Sequence, residues 1–189
     1  MAEPFIGYGQ QDAGVARLVE RTPADKVLAG QGANLTKAEQ PGYRAMAQIL
    51  LANITAAEGN TKKAVADYAK VVGDESLPQP FRDLALIRQT TVEFDSLPPQ
   101  QVIDRLKPLA KPGNAWFGSA GEMTAISYMK MGKDNLAGPI FAQIAKQEDL
   151  PQTLRSRAQQ MAGALGVDTV QLEEKPKGAS ATADAGKDN

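Results

Sequence analysis

The chain contains no His and no Cys. The side chains most often used near neutral pH for nucleophilic attack, metal binding and proton transfer are therefore missing. Their absence excludes thiol nucleophiles, disulfides, Cys/His zinc sites and Ser-His-Asp triads. Carboxylates, amines and guanidinium groups remain. Glu173-Glu174 is a carboxylate pair near the C-terminus, where solvation accounts for it. Arg82 and Arg155 stand at equivalent places of a repeat, and each has the fork geometry to hold a partner's carboxylate. Recurrence points first to a pairing inside the repeat. Gly7-Tyr8-Gly9 lacks the Lys and the strand–helix context of a phosphate loop. An enzyme working with carboxylates and Lys or Arg needs two facing carboxylates with displaced pKa values in a deep pocket. No spacing in this sequence sets that up, so the reading is non-catalytic, with no cofactor and no metal.

Residues able to bind rather than react are more informative. Trp116-Phe117, beside the Pro112-Gly113 loop, is either an anchor for a bound peptide or a pair of core aromatics. Core packing is the commoner role of large apolar residues. Met123, Met129 and Met131 read in the same two ways, because Met fills irregular cores and also makes adaptable binding surfaces. The net charge is −1 and no basic block occurs, which argues against nucleic acid and anionic membrane surfaces. Aromatics make up 5% of residues, too few for a base-stacking platform. No apolar run approaches the roughly 20 residues of a membrane span, and residues 1–11 have neither the basic flank nor the apolar core of a signal peptide.

The elements that position these residues follow from an internal repeat. Residues 75–85 read Glu-Ser-Leu-Pro-Gln-Pro-Phe-Arg-Asp-Leu-Ala, and residues 148–158, offset by 73, read Glu-Asp-Leu-Pro-Gln-Thr-Leu-Arg-Ser-Arg-Ala. The same offset carries Ala52, Gly59, Ala64 and Ala69 onto Ala125, Gly132, Ala137 and Ala142. It also carries Ala47 onto Ala120, Tyr68 onto Phe141 and Val71 onto Ile144. Small residues let helices approach, the aromatic fills between them, and Gly permits a left-handed turn. The spacing Ala–Gly–Ala–aromatic is the tetratricopeptide pattern.

Helical periodicity then predicts successive pairs. The first comprises residues 43–58, with Ala47, Leu50, Leu51, Ile54 and Ala57 facing inward, and 61–72, capped by Asn60 and burying Ala64, Tyr68 and Val71. The second comprises 80–94, with Leu84, Ile87, Thr91 and Phe94, and 100–109, with Val102, Ile103 and Leu106. The third comprises 115–131, with Ala120, Ala125 and Tyr128, and 134–146, with Leu136, Ala137, Phe141 and Ile144. Pro139 predicts a late start or a kink in that last helix. A final helix over 151–165, presenting Leu154, Ala158, Met161 and Leu165, caps the array and ends at Gly166. Residues 1–40 are weakly specified, with a short stripe at Val15, Leu18 and Val19 and a helix start at Thr22-Pro23-Ala24-Asp25 that Gly30 and Gly32 stop. Residues 41–166 form the repeat domain. Residues 167–189 change composition, and 178–189 hold no large apolar group, which predicts a disordered tail. The expected fold is all-α, a tetratricopeptide-like α-solenoid of stacked antiparallel helix pairs with a C-terminal capping helix.

Residues 43–166 resemble the tetratricopeptide repeat-like domain of the bacterial ancillary Sec-translocon subunits, most closely the alphaproteobacterial type. The resemblance rests on Gln79-Pro80-Phe81-Arg82-Asp83-Leu84-Ala85, Leu106-Lys107-Pro108-Leu109-Ala110 and Pro112-Gly113-Asn114-Ala115-Trp116-Phe117. Met131-Gly132-Lys133-Asp134-Asn135-Leu136-Ala137 adds to it. It implies a domain on the periplasmic side of the inner membrane, held by one N-terminal helix, that handles secreted chains near the translocon with chaperone partners. The chain departs from that pattern in its first 40 residues, where the usual anchor is not readable. The expected function is a protein–protein interaction scaffold serving secretion or envelope assembly; the alternative is a structural oligomerisation module of the envelope. The expected partners are other proteins or unfolded segments, held in a groove lined by 43–58, 80–94 and 115–131. On 43–58 the face away from Tyr68 carries Ile49 and Asn53, and the repeat offset takes these to Glu122 and Ile126. Those four are the candidate partner-binding residues, with Asn53 and Glu122 expected to be exposed.

Overall fold

The computed structural model describes residues 30 and 34–167. The expectations for residues 1–29 and 168–189 lie outside the described residues. The described part is all-helical, with no strand. In chain order the helices are α1 Pro41–Ala57, α2 Thr61–Gly73, α3 Gln79–Glu93, α4 Pro99–Leu106, α5 Phe117–Lys130, α6 Asp134–Ala145 and α7 Gln152–Ala164. Pro stands in the first turn of α1, α3 and α4, where its missing N–H leaves no bond unmade. Asn60 caps α2, its side chain accepting from the Lys63 amide at 3.3 Å. α6 starts at Asp134 despite Pro139 in its interior, so the helix does not begin late.

Neighbours in sequence pack as neighbours in space, α1 on α2, α2 on α3, α4 on α5, α5 on α6 and α6 on α7. Contact between α3 and α4 is slight. Two apolar clusters result. The first holds Ala45, Ile49, Ala52, Ala64, Tyr68 and Ala85 among others. The second is built on α4–α7, around Leu106, Met123, Phe141 and Ile144. α3 serves both, giving Ala85 to the first and Ile87 and Phe94 to the second.

The repeat is a unit of three helices. α1–α3 and α5–α7 correspond at the 73-residue offset, and α4 joins them. The correspondence reaches the backbone hydrogen bonds. Asn60 N–H donates to Thr55 O at 3.1 Å and Lys133 N–H to Tyr128 O at 2.9 Å. Leu77 N–H donates to Asp74 O at 3.1 Å and Leu150 N–H to Gln147 O at 3.2 Å. Gly59 and Gly132 both have positive φ, +79° and +69°. The Arg82 guanidinium bonds the Gln79 side chain, and that of Arg155 bonds Gln152, so the recurring arginines pair within their own helices. Ala52, Ala64, Ala125 and Ala137 are all fully buried. Ala69 and Ala142 differ, the first exposed and the second buried in the larger apolar cluster.

Two apolar assignments are corrected. On α1 the buried set is Ala45, Ala47, Ile49, Ala52 and Thr55, whereas Leu50 is exposed and Leu51, Ile54 and Ala57 are half-buried. Periodicity favours the larger side chains, but close helix approach selects the alanines. On α6, Leu136 is exposed for the same reason, with Ala137 turned inward. At the C-terminal end Val167 packs rather than trailing away. Its Cγ2 lies 2.6 Å from where a Cβ on Gly138 would stand, so a larger residue at 138 would push Val167 aside.

Replacing Ala64 or Ala137 by Leu forces a larger group into a filled crossing and is expected to lower unfolding free energy by about 1–3 kcal/mol each. Ala69→Leu, on an exposed face, is expected to stay within about 0.5 kcal/mol of the parent. Urea unfolding of the three variants checks this; equal midpoints for all three would show that the crossings are not close-packed.

Candidate functional site

α1 carries apolar residues on every side. One side, Ala45, Ile49 and Ala52, belongs to the first core cluster. The opposite side presents Tyr43, Met46 and Leu50, with 56%, 57% and 38% of their surface exposed. The spacing i, i+3, i+7 places the three within one narrow stripe of the helix surface. Large apolar residues scattered singly on a surface are ordinary, but a contiguous row marks an interaction site. Leu35, just upstream, is exposed as well.

The stripe stands on a fixed base. The Arg44 guanidinium donates to the carbonyls of Ala38 at 3.1 Å and Glu39 at 3.0 Å, and reaches Ser76 Oγ at 3.5 Å. One cation thereby ties the chain entering α1 to the turn before α3. In that turn the Ser76 hydroxyl and amide both donate to Asp74, holding its carboxyl below the usual carboxylate range.

In the second unit this face is covered in part: Ser119, the counterpart of Met46, is exposed. Leu50 corresponds to Met123, which is buried, with Thr91 Oγ1 3.8 Å from its sulfur. Tyr43 corresponds to Trp116, half-buried against the core that includes Val102 and Leu106 of α4. Phe117 is buried beside it, so the Trp116-Phe117 pair is largely core, as is Met123; Met129 packs on the same cluster. From Phe117 through Ser127, α5 is buried on nearly all sides. α1 also carries apolar residues on every side, and among the described residues only one side is covered.

The four residues selected from the sequence sit elsewhere. Ile49 and Ile126 are buried core residues. Asn53 does not face away from Tyr68: its Oδ1 accepts from the Tyr68 hydroxyl at 2.5 Å. Glu122 is not exposed. Its carboxylate is buried and accepts from Arg157 Nε at 2.5 Å and Nη2 at 2.7 Å, across 35 residues from α7 to α5. That hydrogen bond holds the Arg157 proton more tightly than usual, against the opposing pull of partial burial. The error has one physical source. The face was chosen relative to the larger apolar residues, and the true crossing is rotated onto the alanines. Among the described residues no cluster of three or more carboxylates forms a metal site, and no helix is long and apolar enough to cross a membrane. Comparison with protein-family models, with curated proteins and with solved structures finds no match to the chain.

Removing Arg157 leaves a buried carboxylate without its cation. Arg157→Ala and Glu122→Ala are each expected to cost about 2–3 kcal/mol, less than a fully buried pair because Arg157 keeps 43% of its side chain in solvent. The double change to Ala is expected to cost less than the sum, and a double-mutant cycle in urea measures the difference. Strict additivity would show that the two groups do not act as a pair.

Proposed function

We propose that the protein is a non-catalytic helical-repeat scaffold, a tetratricopeptide-like solenoid, that binds apolar segments of other proteins. The single observation that carries this reading is the exposed Tyr43, Met46 and Leu50 stripe on α1, in which Leu50 lies open where its counterpart in the second unit, Met123, is buried. The docking surface is thus the outer face of α1 at one end of the repeats. The duplication of a three-helix unit supports it, because stacked repeat units complete one another's apolar faces, and the outward face of α1 is open among the described residues. A solvent-facing apolar row suits broad recognition of apolar segments better than one tight small ligand. The resemblance of residues 43–166 to the ancillary Sec-translocon subunits suggests, as part of this proposal, work on the periplasmic side of the inner membrane, in secretion or envelope assembly with chaperone partners.

A labelled peptide of residues 97–110, the chain's own cover for α5, serves as the probe. Binding by fluorescence anisotropy is expected in the micromolar range, on the order of −8 kcal/mol. The double variant Met46→Asp, Leu50→Asp is expected to weaken it at least tenfold without lowering the melting temperature, since both side chains lie in solvent. No saturable binding by the parent chain would remove the scaffold reading, and undiminished binding by the variant would remove this surface.

A further inference from the structure

From Ala45 to Ala57 the sequence of α1 contains no Asp, Glu, Lys or Arg. The charge that α1 does carry, on Arg44, is held at its start by the carbonyls of Ala38 and Glu39. The outward side of the helix is therefore neutral over roughly 20 Å of its length. Tyr43, Met46 and Leu50 lie exposed on it, and Ile54 and Ala57 continue the line half-buried. Steps of 3, 4, 4 and 3 residues keep all five on one side. A face without charge offers no counter-ion to a charged partner. It meets another face of its own kind with neither repulsion nor a stranded charge. The net charge of −1 leaves little long-range repulsion between two copies of the chain.

The line has a centre and two unlike ends. Leu50 stands midway, seven residues from Tyr43 and seven from Ala57. The N-terminal half carries the bulk, and the C-terminal half narrows to Ala57. Laid antiparallel on a second copy, with a two-fold axis at Leu50, the bulk of one end meets the small residue of the other. Tyr43 then lies over Ala57, Met46 beside Ile54 and Leu50 on Leu50. A parallel pairing sets Tyr43 on Tyr43 and Ala57 on Ala57, overpacked at one end and hollow at the other. It also aligns the two helix dipoles, which the antiparallel pairing opposes. A two-fold interface requires a patch complementary to itself, and this patch meets that requirement in one register. We propose that the protein pairs with a second copy of itself through α1, antiparallel, with Leu50 at the two-fold axis. The proposal rests on the scaffold reading for one point alone, that the stripe is a docking face.

Size sets the strength of the pairing. One helix on one helix over this length buries less than the total of about 1,200–2,000 Å² found in stable interfaces. Leu35, exposed just upstream, adds little to it. The two copies are therefore held in the micromolar range and exchange, and an outside apolar helix competes with the second copy for the same stripe. A helix on this part of the fold is already accommodated once, where α4 packs on α5.

The chain has no Cys, so one introduced thiol reports one position. The test uses the full chain. Sedimentation equilibrium of the parent is expected to pass from monomer to dimer mass across the micromolar range. The double variant Met46→Asp, Leu50→Asp, with its melting temperature unchanged, is expected to need at least tenfold higher concentration to pair. On mild oxidation Leu50→Cys is expected to give a disulfide-linked dimer, whereas Tyr43→Cys and, on α2, Lys62→Cys stay single. Mixing Tyr43→Cys with Ala57→Cys is expected to link the two variants to each other. A parent that stays monomeric overturns the proposal, and slow alkylation of Leu50→Cys would then mark a cover from the same chain. Masses above the dimer overturn it too, as does self-linking of Tyr43→Cys or Lys62→Cys as fast as that of Leu50→Cys. Pairing without binding of the 97–110 peptide upholds the proposal and removes the scaffold reading. Peptide binding by a chain that stays monomeric does the reverse.

Discussion

Everything in this fold depends on how closely consecutive helices approach. In the α1–α2 pair Ala52 and Ala64 lie in one apolar cluster, in the α5–α6 pair Ala125 and Ala137 lie in the other, and none of the four has any surface in solvent. The absence of side-chain bulk brings the two backbones together, and an aromatic one turn further on, Tyr68 or Phe141, fills what remains. The left-handed glycines at 59 and 132 make the turn short enough for that geometry. The close crossing also sets the rotation of α1. With the alanines inward, Tyr43, Met46 and Leu50 must point outward, so the candidate docking surface follows from the packing.

The two units then differ in what lies over that outward face. α5 has α4 before it and is sealed on nearly all sides, including the interior carboxylate that Arg157 neutralises. α1 has the same apolar circumference without a described neighbour on one side. A helix apolar all round is stable only when surrounded. The stripe therefore carries a cost in water that any apolar cover relieves, whether it comes from the same chain or from another.

The helices were legible in the sequence, and so was the matching of units, because Gly, Pro and Ala punctuate the chain at fixed spacing. The all-α class, the Asn60 cap and the interior triplets of α2 and α4 follow from periodicity and are seen. The rotation of α1 was not legible. A helix with apolar residues on every side has no preferred direction in its own sequence, and only the neighbour decides which side is buried. Choosing Ile49, Asn53, Glu122 and Ile126 as a surface inherited that ambiguity. The stripe that is exposed had a weaker signal: inward positions filled by alanines across from three larger apolar residues.

The misplaced candidates nonetheless explain how a repeat tolerates polarity. At this position the offset preserves burial: Ile49 and Glu122 are 5% and 3% exposed. It does not fix chemistry. Where Glu122 is met by Arg157, the corresponding positions in the first unit are Ile49 and Leu84, both in its apolar cluster. Where Asn53 is met by the Tyr68 hydroxyl, the corresponding positions in the second unit are Ile126 and Phe141. In both cases the two partners differ together, a polar pair in one unit and an apolar pair in the other. A single change at either place would strand one buried polar group, at a cost of about 1–3 kcal/mol, while replacing both partners is close to neutral. Such paired exchange fits the three-helix correspondence, since each apolar pair lies within one cluster. It also shows why position in the repeat locates a residue in the packing but cannot by itself assign it to a binding surface.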